Sequence, residues 1–64
     1  MTIKEAKAAA VSGCKVRHPY FAKGEYVVYN GKNLIDESGN FLIENEFWAI
    51  RAELMPKDWE IVGE

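Results

Sequence analysis

The stretch "GEYVVYNGKNLIDESGN", residues 24–40, decides the fold. β-Branched and aromatic residues flank Asn30-Gly31, and a second turn signal follows at residues 37–40, so the segment reads as strand, turn, strand, turn. Asn-Gly favours a two-residue type I′ hairpin. That register pairs Tyr29 with Lys32 and Val27 with Leu34 on one face, and sets Tyr26 with Ile35 on the other. Apolar groups on both faces predict a hairpin covered on both sides, by the chain's own helices and by another subunit.

Toward the N-terminus, "CKVRH" is short and alternating, placing Cys14, Val16 and His18 on one face and Lys15 with Arg17 on the other; Pro19 ends it. Before it, Thr2 and Glu5 form a capping-box pattern, an alanine-rich run follows, and Gly13 supplies a stop, which predicts a helix. Ile3, Ala6, Ala10 and Val11 are its expected buried stripe, with alanines that let it sit close to a sheet.

Toward the C-terminus, "FLI" is a short strand, Asn45 is the expected cap of a helix running to about Met55, and Pro56 ends it. The closing "DWEIV" is strand-like, with Trp59 and Ile61 on one side. The expected architecture is therefore α+β, one domain over residues 1–64: an N-terminal helix, a small antiparallel sheet of four to five strands, and a second helix before the closing strand. On that second helix Phe47, Ile50 and Leu54 form the expected core stripe, while Trp48, Ala52 and Met55 form a second stripe, read as an oligomer contact.

The composition, 48% hydrophobic and 28% charged over 64 residues, is that of a globular chain. A domain so small buries little of its surface, and self-association relieves that limit. The start "MTIKEAKAAAVSG" lacks the long apolar core of a signal peptide or anchor, and the lone Cys14 has no partner for an internal disulfide. A cytoplasmic protein with a structural cysteine is the expectation. The net charge of −2 hides a split: residues 1–32 carry six cations against two acids, and residues 33–64 two against eight. An acidic half repels phosphate, which argues against a long nucleic acid as partner.

Enzyme signatures are missing: the sequence has no metal-ligand cluster, no HExxH, no Walker loop and no dinucleotide fingerprint. The paired carboxylates Glu44 and Glu46, or Asp58 and Glu60, read as solvated charges rather than an acid/base couple. The expectation is a non-enzymatic protein without cofactor or metal. Binding chemistry is better served by "KVRHPYFAKGEYVVY", residues 15–29. Arg17, Lys23 and the backbone at Gly24 could hold phosphate, Tyr20, Phe21, Tyr29 or Trp48 could stack on a base, and His18 could act as a base, donate to phosphate or serve as a packed or surface side chain. Arg51 joins the candidate cations. The competing reading makes Tyr20 and Phe21 core residues at a turn and the cations ordinary surface charges.

"TIKEAKAAAVSGCKVRHPYFAKGEYVVY" followed by "PKDWEIV" resembles the small phage-encoded proteins of the second Thoeris anti-defence type. The resemblance covers slightly over half the chain. It implies a compact α+β homo-oligomer, dimer or tetramer, in the cytoplasm of an infected bacterium. Such proteins act as sponges: they capture cyclic ADP-ribose isomers or other cyclic nucleotides made by host immune enzymes, including CBASS-type cyclic oligonucleotides, in pockets at subunit interfaces, without cleaving them. It places Arg17, Tyr20, Phe21, Lys23 and Gly24 at or near the pocket, and Asp58 and Trp59 in the sheet. The alternative is a protein-binding inhibitor that docks on a host defence or nucleic-acid-acting protein through its acidic half and the Trp48 stripe.

Overall fold

The computed structural model describes residues 1–62 and shows the α+β architecture the pattern implies. Helix α1 spans Ile3–Val11, and strands β1 to β4 are Val16–Arg17, Val27–Tyr29, Leu34–Asp36 and Phe41–Leu42. Helix α2 then spans Glu44–Leu54 and strand β5 Glu60–Ile61. The sheet order is β4-β3-β2-β1-β5, every pair antiparallel, so the first four strands meander and the last returns to the free edge of β1.

Local chemistry fixes α1 at both ends. The Thr2 hydroxyl accepts from the Glu5 amide while the Glu5 carboxylate accepts from the Thr2 amide. At the other end Gly13 takes φ +99°, the Gly13 amide donates to the Ala10 carbonyl and the Cys14 amide to the Ala9 carbonyl, the two bonds of a Schellman stop. Ala6 and Ala10 are fully buried against the sheet and Ile3 packs at the core's edge. Val11, expected in the stripe, is exposed, and Ala9 takes its place.

The hairpin register differs from the expected one. Tyr29 lies opposite Leu34, Val28 opposite Ile35 and Val27 opposite Asp36, so the loop has four residues and not two. A type I′ turn needs positive φ at both central residues, and Gly31 has it while Asn30 does not. Instead the Asn30 carboxamide oxygen accepts from the amides of Lys32 and Asn33 at 2.9 and 2.8 Å, a side-chain-made turn. The slip is by two residues, so the faces are kept: Val27 and Leu34 still point into the core. Asp36 organises the next turn in the same way, accepting from the amides of Ser38 and Asn40.

Helix α2 begins without a side-chain cap at Ile43, rather than at the expected Asn45, and Glu44 and Glu46 in its first turn complement the helix dipole. Its buried side is also different from the expected one. Phe47 and Trp48 are buried and Met55 packs against them, while Ile50 and Leu54 face solvent. The reason is crowding: α1 and α2 cover the same sheet face, and the indole of Trp48 fills the space between them and Trp59. The helices therefore cover one face only. On the other, Lys15, Arg17, Tyr26, Val28, Ile35, Phe41 and Glu60 share a surface with no helix over it.

The centre of the core is Trp59. Its ring meets Phe21 and His18 edge-on at 5.4 and 5.5 Å and Trp48 at 5.6 Å, and its indole N–H donates to the Met55 carbonyl at 2.8 Å. It sits just before β5, and Asp58 lies in the turn ahead of it, so neither is in the strand proper as the resemblance implies. No helix among the described residues is long and apolar enough to cross a membrane.

Candidate functional site

The basic-aromatic segment does not converge on one point within a subunit. Pro19 halts β1, and the chain turns so that successive side chains leave in different directions. Phe21 goes into the core against Trp59, while Tyr20 stands 76% exposed. Arg17 lies on the bare sheet face, its guanidinium 3.4 Å from the Glu60 carboxylate. Lys23 and Gly24 sit at the exposed tip of the loop between β1 and β2, where Gly24 takes φ +84°. Tyr29 is half-buried, its hydroxyl donating to the Lys32 carbonyl at 2.9 Å.

His18 is buried, and both ring nitrogens are committed. The Tyr20 amide donates to Nδ1 at 3.1 Å, so Nδ1 carries no proton; Nε2 therefore bears it and donates to the Lys57 carbonyl at 2.8 Å. The imidazole ties the loop after β1 to the turn before β5. No nitrogen is left for a ligand or for proton transfer, so the packed role is the one the geometry supports.

The two remaining candidates lie on α2. The Trp48 ring is buried, with Phe47 edge-on at 4.9 Å, and is part of the core rather than an open stacking face. The Arg51 guanidinium lies 3.9 Å over the Phe47 ring and donates from Nη1 to the Phe47 carbonyl at 3.4 Å. Its Nε is buried with no partner, and burial pushes its pKa down while the Glu25 charge opposes that shift. It pairs with neither Glu46 nor Glu53.

What the fold does assemble is a cleft of about 250 Å³ lined by His18, Pro19, Tyr20, Leu54, Met55, Pro56, Lys57 and Asp58. The Tyr20 ring stands edge-on to His18 at 4.8 Å, which fixes its base while its outer face remains open. Across from it the turn carries Lys57 and Asp58, and Asp58 has φ +75°, the one non-glycine residue described with a left-handed backbone. That conformation costs roughly 1–2 kcal/mol in most side chains, less in aspartate, whose short polar side chain bonds locally. Such strain clusters where a turn must aim its groups. Reading the sequence missed Lys57, Asp58 and Leu54 as neighbours of Tyr20; they lie over thirty residues away, and only the Asp58-Trp59 motif pointed to that end of the chain.

A second groove, about 330 Å³, runs between the helices, with Ile3, Trp48, Ala49 and Ala52 along it and Lys4 and Lys7 at its rim. Among the described residues no group of three or more His, Cys, Asp or Glu side chains is placed to hold a metal ion. Cys14 is half-buried and free. Comparison with family models, curated proteins and solved structures finds no match to the chain.

Proposed function

We propose that this is a non-enzymatic binding protein that sequesters a small phosphorylated nucleotide, a cyclic nucleotide or cyclic ADP-ribose signal of host immunity, in the cytoplasm of a phage-infected bacterium. The observation that carries the reading is the Tyr20 cleft: an exposed aromatic face opposite a lysine and an aspartate on a strained turn. Tyr20 offers the base a stacking surface, worth about 1–3 kcal/mol per base. Lys57 offers a phosphate partner, and Asp58 accepts from ribose hydroxyls. The commitment of both His18 nitrogens to the backbone favours binding over acid-base chemistry. Pockets for small molecules usually span ~300–1,000 Å³. A cleft of about 250 Å³ holds only part of such a ligand, which supports a homo-oligomer in which another copy completes the site.

The reading is tested by mixing the purified protein with ADP-ribose isomers and with cyclic di- and oligonucleotides. At a hundredfold excess over Kd a true ligand stabilises the fold by about 2.7 kcal/mol, or a melting shift of roughly 20 °C for a domain this small. Heating should then release it unaltered, and Tyr20→Ala should weaken binding at least tenfold. No shift with any compound overturns the proposal; altered ligand moves the protein to the enzymes. A second reading, an inhibitor that docks on a host protein through its acidic half, now rests on the exposed Ile50 and Leu54, since Trp48 is in the core. Capture of one defined host protein by the wild type, lost in Leu54→Glu, would favour it.

A further inference from the structure

A continuous uncovered apolar surface runs along α2. Ile43, Ile50 and Leu54 are 67%, 54% and 64% exposed, and at about 100° per residue they share a strip only about 40° wide. Phe41, 72% exposed, adjoins its first turn, where it lines a shallow cleft with Ile43, Phe47, Ile50 and Arg51. The strip has flanks of opposite sign. Glu46 and Glu53, both exposed, lie along one side. Arg51, half-buried with its guanidinium over the Phe47 ring, lies along the other.

We infer that this strip is the contact between two copies of the chain, related by a two-fold axis that runs parallel to α2. Under that axis each copy's acidic flank faces the other copy's Arg51 flank. An axis perpendicular to the helices would set Glu46 and Glu53 against the same two glutamates, and Arg51 against Arg51. Charge complementarity therefore selects both the occupant and the symmetry. The pairing deepens the binding proposal and rests on it in one respect: Leu54 both ends the strip and lines the Tyr20 cleft. With the helices parallel, the two clefts come together at the same end of the dimer, and each supplies the wall that the other lacks.

The test is the mass in solution, by light scattering at tens of micromolar. The wild type should be a dimer. Ile50→Glu, at a site exposed within the subunit, should raise the dimer Kd at least tenfold while circular dichroism shows the helices intact. Glu53→Arg should weaken the dimer too, and combining it with Arg51→Glu should restore most of the loss. Leu54→Cys in a Cys14→Ser background should cross-link to its own counterpart on mild oxidation, which only the parallel arrangement allows. A monomeric wild type overturns the inference. So does a dimer that ignores Ile50→Glu but falls apart on Val28→Glu, since that places the contact on the bare sheet face. A dimer in which Leu54→Cys fails to cross-link overturns the axis. The two proposals fail separately: a dimer with no nucleotide shift keeps this contact and loses the ligand, and a shift in a monomer does the reverse.

Discussion

His18 is the residue whose removal should matter most for its size. Replacing it by leucine leaves the part-buried Tyr20 amide and Lys57 carbonyl without their partner, and a fully buried group left unsatisfied costs about 1–3 kcal/mol, so these two fall toward the lower end. His18→Leu is expected to lower unfolding free energy by about 2 kcal/mol in urea titration, a large share of what a domain this size holds. Asp58 should behave the other way. Glycine has no penalty at φ +75°, so Asp58→Gly should stabilise by up to about 1 kcal/mol, while Asp58→Val should destabilise. If the turn serves the ligand, the more stable glycine variant will bind more weakly, and a melt with and without nucleotide reads both effects. Two exposed carboxylates contribute to the response to acid. The Thr2 amide and hydroxyl hold Glu5 below its ordinary 4.5, and the amide of Asn40 leads those that hold Asp36 below its ordinary 3.8. Their contribution is complete above those ordinary values and is lost as pH falls through the lowered folded values. Melting temperature should therefore drop as pH falls below those ordinary values, less steeply in Thr2→Ala.

At the scale of elements, local rules were legible wherever the chain satisfies itself locally. The capping box and the glycine stop of α1 are both as the sequence indicates, because every partner lies within five residues. The hairpin shows the limit. Asn30-Gly31 marks the turn correctly, but the Asn30 side chain outcompetes the two-residue geometry by bonding two amides. Asn30→Gly, close to neutral in a type I′ turn, should here cost about 1 kcal/mol, and chemical denaturation would detect it. Helix α2 was legible in extent but not in facing. Its two apolar stripes are adjacent, and periodicity cannot tell which one the rest of the core has room for. The cleft was half legible: Tyr20 stood out as an aromatic among cations, but its opposite wall comes from residues brought near only by the closing strand.

The whole molecule is one sheet with both helices on one side, about 26 × 24 × 20 Å across. Among the described residues the strip on α2 and the sheet face with Val28, Ile35 and Phe41 have no helix over them. If association through α2 supplies stability the subunit lacks, melting temperature must rise with protein concentration by mass action, and Ile50→Glu must abolish that rise. A scanning calorimetry series over a hundredfold range of concentration reads it directly.

Trp59 gives the architecture a temporal side. The ring that joins Phe21, His18 and Trp48 is translated after every other residue of the buried core, and β5 reaches back to β1 across more than forty residues. A nascent chain leaving the ribosome can form α1 early, but it has nothing to close around until that indole emerges. Folding is then a single late event, and a ribosome that stalls before Trp59 releases a product fit only for proteolysis.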